Sequence, residues 1–191
     1  MANALYGGVL YADTAGILSK TPLHILGINF VPAAVSDTFD LNYWDEANEV
    51  SGSNRALGNC TITGTNTFTD AATGGVLTAA RYPATDVLKI FTTREGGGNG
   101  STANHTYHLI ETAGDNNAIV TGTTLTNEAN KSYKLACYPS RPFLNGLQPT
   151  ATNTHESKYW YFGPYGFPVP NLILEAISTS AYLEIFLAPI I

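Results

Sequence analysis

Wherever the hydrophobic pattern of this chain has a readable period, that period is two, the repeat of a β-strand. In the clearest run, threonine occupies every odd position from Thr61 to Thr69, while Cys60, Ile62 and Phe68 occupy the even phase. The β-branched threonines favour an extended backbone and leave a wettable face. We therefore predict a strand over residues 60–70 with an apolar inner face and a threonine face in solvent.

Further strand-like segments are short, and Gly, Pro, Asn, Asp or Ser separates them. They cover residues 9–11, 23–31, 38–44, 87–93, 106–112, 118–121, 132–138, 159–162, 171–177 and 182–187. Composition also favours strands over helices. Charged residues make up 13% of the chain and there is 1 Met, whereas the exposed faces of helices are usually rich in Glu, Lys, Arg, Gln and Met. One short helix is predicted at residues 76–81. The fold class we predict is all-β, with an antiparallel β-sandwich or jelly-roll-like core.

Two pairs of these segments, one near each end of the chain, have matched lengths and dense apolar alternation. The pairs are residues 25–30 with 38–44, and residues 171–177 with 182–187. The loop inside each pair is suited to an open antiparallel hairpin. All four segments are therefore expected to lie together in the core.

The length of 191 residues fits a single domain. We expect its core to come from residues 1–45 and 159–191, with a β-rich but loop-rich insertion at about residues 46–158. The glycine-rich stretch at residues 95–104 has little to bury and is expected to be an exposed, mobile tip.

Charge and hydropathy exclude several classes of partner. Nine Lys and Arg against 15 Asp and Glu give a net charge of −6, and the cations are scattered, so nucleic acid is not an expected partner. No apolar run approaches the roughly 20 residues that span a bilayer, so no membrane partner is expected. Residues 1–8 lack the features of a secretory signal, and we expect the protein to be made and assembled in the cytoplasm.

The residues that most often carry chemistry do not form a recognisable motif. His105 and His108 would point to opposite faces of a strand and could not share a metal there. Cys60 and Cys137 could either pair or pack as small hydrophobic residues. No nucleophile elbow or phosphate-binding loop is present. We therefore expect no enzymatic activity, no catalytic or metal-binding residues and no cofactor.

The most unusual local feature is a run of six aromatic residues within nine positions. They are Tyr159, Trp160, Tyr161, Phe162, Tyr165 and Phe167. They cannot all face inward from one strand, so some must meet another chain, a ligand or a loop. A subunit or partner interface is the leading interpretation. A packed loop and a saccharide platform on Tyr159, Trp160 or Tyr165 are the alternatives.

Both ends of the chain resemble small structural proteins of tailed bacteriophages. Those proteins begin with a short strand that ends in Asp-Thr, as Asp13 and Thr14 do here, followed by a strand, an Ala/Ser/Asp turn and a second strand with a Trp, here Trp44. They end with a strand pair similar to residues 169–187. The resemblance does not extend to the insertion. It implies a virion component without catalytic residues, either a capsid decoration (cement) protein or a tail or fibre accessory.

Two functions follow as expectations. The leading one is a decoration protein that docks on the major capsid protein, or on other virion proteins, and stabilises the shell as a homo-oligomer. The trimeric state follows only from the resemblance, because threefold positions on icosahedral shells suit threefold partners. The alternative is a carbohydrate-binding or receptor-binding β-sandwich of a tail or fibre.

Overall fold

The computed structural model describes residues 3–70, 75–92, 101–112, 115–116, 118–122, 124–143 and 157–189. In these residues the strands are β1 (Ala4–Tyr6), β2 (Val9–Ala12), β3 (Gly16–Ser19), β4 (Leu23–Val31), β5 (Phe39–Trp44), β6 (Arg55–Thr63), β7 (Thr67–Asp70), β8 (Leu77–Thr78), β9 (Val87–Thr92), β10 (Tyr107–Thr112), β11 (Asp115–Asn116), β12 (Ala118–Thr121), β13 (Glu128–Tyr138), β14 (Ser140–Pro142), β15 (Lys158–Tyr161), β16 (Phe167–Val169), β17 (Leu172–Ile177) and β18 (Tyr182–Leu187). A 3-10 turn at Thr102–Asn104 is the helical element of the described chain. The predicted all-β fold is confirmed.

The chain divides into two compact units. The first, which we call the sandwich unit, comprises Met1–Tyr43 and Arg141–Ile191. The second, the barrel unit, comprises Trp44–Ser140. Each unit has its own hydrophobic cluster and is described separately.

The sandwich unit contains two antiparallel sheets that share one core. The larger sheet has the order β1-β2-β18-β4-β15, and β16 also pairs with β4; the smaller has the order β14-β5-β17-β3. Alternate residues of both sheets enter one cluster, in which the rings of Phe30 on β4 and Phe39 on β5 lie 4.9 Å apart. The four segments predicted to form the core, now β4, β5, β17 and β18, all contribute to this cluster.

The two predicted hairpins are wrong. β4 and β5 belong to different sheets, and so do β17 and β18, so each connection crosses from one layer to the other. The two crossings are joined, since the Thr38 amide donates to the Ser178 hydroxyl at 2.9 Å and the Ser178 amide donates to the Thr38 carbonyl at 3.0 Å. Two strands with matched apolar alternation can bury their apolar faces either side by side in one sheet or opposite each other across a core. The sequence pattern alone does not distinguish these two arrangements.

The barrel unit closes on itself. Its six principal strands follow the closed order β10-β12-β7-β6-β13-β9, with β8 and β11 paired in a separate two-stranded sheet. The interior is filled by inward side chains, among them Phe68 and Tyr133, whose rings lie 5.4 Å apart. Closure removes the open edges that a sheet of this size would otherwise expose.

The predicted threonine strand is two strands joined by a tight turn. Gly64 and Thr65 both adopt positive φ, at 60° and 65°, in the three-residue loop between the paired residues Thr63 and Thr67. Because Ile62 pairs with Phe68 across the hairpin, the predicted phase is preserved on both sides of the turn. Phe68 and Ile62 are buried, and the threonines of β6 and β7 lie on the other face.

One further local prediction is wrong, and another agrees with the structure only in part. Residues 76–81 form the short strand β8 and a turn instead of a helix, with the Tyr82 amide donating to the Thr78 carbonyl at 2.9 Å. Of the predicted tip, Thr102 and Ala103 are exposed, whereas Ser101 is half-buried and Asn104 is fully buried at the end of the 3-10 turn. Residues 95–100 of the predicted mobile tip lie outside the described residues.

Cys60 and Cys137 are both free and buried in the barrel core. Lys131 on β13 pairs with Cys60, and Cys137 lies six residues further along the same strand. At about 3.4 Å per residue this separation is roughly 20 Å, far beyond the reach of a disulfide. The two cysteines therefore pack as small hydrophobic residues.

Candidate functional site

The outer face of the six-stranded sheet, the side turned away from the sandwich core, carries six aromatic side chains. They are Tyr6 on β1, Tyr11 on β2, Tyr182 and Phe186 on β18, and Tyr159 and Tyr161 on β15. On β2, β15 and β18, each of these rings alternates with residues that pack in the core. Tyr6 on β1 pairs with Val9, which lies on the same outer face as Tyr11. Strand alternation therefore gathers these rings from distant parts of the sequence onto one surface.

Cross-strand register orders this face into rows. One row runs Tyr11, Glu184, Asn29 and Tyr159 across β2, β18, β4 and β15. Asn29 donates its side-chain amide to the Glu184 carboxylate at 2.8 Å. The carboxylate in the middle of the row thus receives a hydrogen bond from a neighbouring strand.

The next row places a glycine between aromatic neighbours. Phe186, Gly27 and Tyr161 are successive partners across β18, β4 and β15. A Cβ at Gly27 would lie only 2.8 Å from the Trp160 carbonyl and would overlap the ring of Tyr159. Tyr159 therefore lies across Gly27, where it meets Phe186 edge-on with ring centroids 5.9 Å apart. The absence of a side chain at residue 27 is what lets this ring lie down on the sheet.

Alternation divides the predicted aromatic run into an inner and an outer set. Trp160 and Phe162 pack against the sandwich core, with Trp160 6.0 Å from Phe39. Tyr159 and Tyr161 face outward and are 55% and 63% exposed. The outer set, and not the whole run, is available for contact with another molecule.

The last two residues of the run lie beyond β15. Tyr165 is 86% exposed at the tip of the turn between β15 and β16, which Gly163 and Gly166 form with φ of 93° and 70°. Phe167 is 40% exposed, contacts Phe143 at 5.7 Å and borders a shallow groove of about 350 Å³. We call Tyr159, Tyr161 and Tyr165 the tyrosine edge.

Polar clusters in the barrel unit are engaged in local structure. The Glu128 carboxylate accepts hydrogen bonds from the Ser101 amide at 2.8 Å, from the Asn104 side chain at 3.3 Å and from the Tyr133 hydroxyl. Burial and the bond to Glu128 raise the pKa of Tyr133 to about 12. This network anchors the 3-10 turn to β13.

A second cluster surrounds Lys89 on the barrel. Its ammonium group lies 4.5 Å from the ring centre of Tyr107 and 5.1 Å from that of Phe91, and 3.8 Å from the Glu46 carboxylate. Cation–π contacts and an ion pair of this kind stabilise a surface locally. The lysine of the same chain occupies the aromatic cluster, so it is not an open ligand site.

His105 and His108 lie in different environments. His108 is buried on β10, with its Nε2 atom 3.2 Å from the Asn104 carbonyl. The pKa of His105 is lowered by burial, an effect that Glu128 opposes. Within the described residues, no three His, Cys, Asp or Glu side chains are arranged to hold a metal ion.

Sequence reasoning identified the tyrosine edge but missed Tyr6, Tyr11, Tyr182 and Phe186. Alternation within each short strand could have shown that these four rings point away from the core. Only the register between strands shows that they all lie on one face of the sheet. Comparisons with protein families, with curated proteins and with solved structures found no match to the chain. In the part of the chain that the structure describes, no helix is long and apolar enough to cross a membrane.

Proposed function

We propose that this chain is a non-catalytic structural protein of a virion, a capsid decoration (cement) protein that docks on the major capsid protein and stabilises the shell. In this proposal it acts as a homotrimer, is assembled in the host cytoplasm, and needs neither nucleic acid nor a membrane. The resemblance of both chain ends to structural proteins of tailed phages motivates the choice of a virion.

The observation that carries the proposal is the tyrosine edge. Tyr159, Tyr161 and Tyr165 are each more than half exposed and lie close together in sequence on β15 and its following turn. Tyrosine provides a large contact area with few rotatable bonds, and its hydroxyl can still form a hydrogen bond at a wet interface. Exposed clusters of this kind are typical of protein contact sites.

A decoration protein needs only modest affinity for each contact. When several copies are joined, the attachment of one copy raises the effective concentration of the next at its own site. The low content of charged residues, 13% of the chain, limits electrostatic repulsion between neighbouring copies. A small tyrosine surface can therefore retain such a protein on a shell that repeats the same site many times.

A saccharide platform on the aromatic run has less support. Trp160, the largest ring of the run, faces the sandwich core. Tyr159 is 55% exposed, but its ring already packs edge-on against Phe186, which reduces the area that it could offer to a sugar. Protein docking remains the better account of the tyrosine edge.

Mass spectrometry of purified phage particles tests the proposal directly. Particles from cells that produce this protein are banded on a density gradient, and the ratio of this chain to the major capsid protein is measured in each fraction. We expect a constant ratio across the particle band, in the range of a repeated shell component. If the chain is missing from the band, or its amount varies independently of the capsid protein, the proposal is wrong.

A further inference from the structure

A cleft of about 1150 Å³ opens at the β1–β2–β18 side of the sandwich unit, at the opposite edge of the sheet from β15. Three tyrosines, Tyr6, Tyr11 and Tyr182, line it. The tyrosine edge lies on β15, two strand spacings of about 4.8 Å from β18 and four from β1, so roughly 10 to 19 Å separates it from the strands that line the cleft.

The rings in the cleft are not stacked on one another. Tyr6 and Tyr11 meet at an interplanar angle of 62° with centroids 6.1 Å apart, and Tyr6 is 67% exposed. Most of the surface of Tyr6 therefore remains open to a ligand. Faces of this kind pack well against the C–H surfaces of sugar rings, because the contact removes apolar area from water on both sides.

Short polar side chains complete the wall of the cleft. Asn3 donates to the Thr14 carbonyl at 2.9 Å, and its oxygen accepts from the backbone amides of Asp13 at 3.1 Å and Thr14 at 3.2 Å. These bonds fix the segment that follows β2 against the one that precedes β1. The wall is thus held in place before any ligand arrives, which lowers the entropy cost of binding.

The chemistry of the lining selects the class of ligand. Hydroxyl groups come from the three tyrosines and from Thr14 and Ser180, and Asp13 is the charged side chain of the lining. The lining contains no Lys or Arg side chain that would pair with an anionic ligand. Aromatic faces beside many hydroxyl groups suit a neutral, polyhydroxylated molecule, and the volume exceeds that of most sites for drug-sized ligands.

We propose that this cleft binds a neutral oligosaccharide, with Tyr6 and Tyr11 as stacking residues. The inference does not depend on the virion role. It concerns the other edge of the sheet, so loss of sugar binding and loss of particle docking are separate outcomes.

A glycan microarray with neutral and anionic oligosaccharides provides the first measurement, and titration calorimetry with the best neutral glycan provides the second. We expect binding to at least one neutral glycan, weakened at least about tenfold by the double substitution Tyr6→Ala and Tyr11→Ala. Tyr161→Ala is the matched control, because it removes an equally exposed tyrosine from the same sheet face without touching the cleft.

Each other outcome overturns the inference. Binding to no glycan, or to anionic glycans only, removes the proposed ligand class. Equal loss in the Tyr161→Ala control moves the site to the tyrosine edge. Unchanged affinity in the double variant, with an unchanged circular dichroism spectrum, moves it elsewhere in the protein.

Discussion

Neighbouring residues of β15 have opposite roles, although their side chains are chemically similar. Trp160 packs against the sandwich core, whereas Tyr161 is 63% exposed. The position of a residue in the two-residue period, and not its type, decides whether it stabilises the fold or remains free for contact.

The first prediction concerns the stability of these two positions. Trp160→Ala should lower the free energy of unfolding by about 2–4 kcal/mol, because it removes a large ring that packs near Phe39. Tyr161→Ala should change it by no more than about 0.5 kcal/mol. Urea denaturation of both variants measures the difference. Equal effects would contradict the division of the run into inner and outer sets.

A second prediction follows from the buried thiols. Burial, reinforced by Asp70, raises the pKa of Cys60 from 9.0 to about 12, and burial raises that of Cys137 as well. Both cysteines should therefore resist a thiol reagent in the folded protein at about pH 8 and react fully once it is unfolded. Rapid modification of either cysteine without unfolding would show that the barrel core is more open than described.

The same shift has a consequence for stability. Since the pKa of Cys60 is higher in the folded state, the unfolded state loses the thiol proton first as the pH rises. The stabilisation that comes from the raised pKa of Cys60 is complete below pH 9.0 and declines as the pH approaches 12. The denaturation midpoint should decrease as the pH rises from 9.0 to about 12, and it should decrease less steeply in a Cys60→Ala variant.

At the scale of elements, the sequence predicted which segments are strands better than how they connect. Apolar alternation identified β4, β5, β17 and β18, since each buries one face. It did not reveal that the connections cross between sheets, because a strand buries the same face whether its chain neighbour lies beside it or opposite. The turn at Gly64 was missed because the hairpin pairs Thr63 with Thr67, so the threonines keep the same alternation before and after the turn.

The β6–β7 turn yields a third prediction. Thr65 adopts a φ of 65°, which is unfavourable for a β-branched residue, while its amide and carbonyl are used in hydrogen bonds to Asn127 and Leu125. Thr65→Asn keeps both backbone bonds and suits this conformation better, so it should raise stability by about 0.5–1 kcal/mol. Thr67→Asn is the control, since it lies in the strand after the turn. A loss of stability in Thr65→Asn would contradict the turn geometry.

At the scale of the whole molecule, two separate hydrophobic clusters account for the two compact units. The sequence predicted an insertion between the chain ends, but it did not predict that the insertion closes into a barrel. Closure depends on pairing between strands far apart in sequence, such as β9 with β13 and β7 with β12, and no local pattern encodes those partners.

The fourth prediction is that residues 44–140 fold on their own. Their ends lie side by side, with the Asp45 amide donating to the Pro139 carbonyl at 3.2 Å, and their core is made from their own residues. An isolated segment should give a dispersed amide NMR spectrum and a cooperative unfolding transition. A spectrum typical of an unfolded chain would show that the barrel depends on the rest of the protein.

The occupancy of this protein on phage particles tests the central claim most directly. The double variant Tyr161→Ala with Tyr165→Ala removes two exposed rings of the tyrosine edge, and Tyr6→Ala removes an equally exposed ring from the opposite edge of the sheet. Each protein is mixed with particles that lack it, and the bound amount is measured after sedimentation. We expect the double variant to lose at least about 90% of its occupancy at a concentration near the wild-type midpoint, and Tyr6→Ala to bind as the wild type does. Wild-type occupancy in the double variant, with its fold intact, would contradict docking through the tyrosine edge.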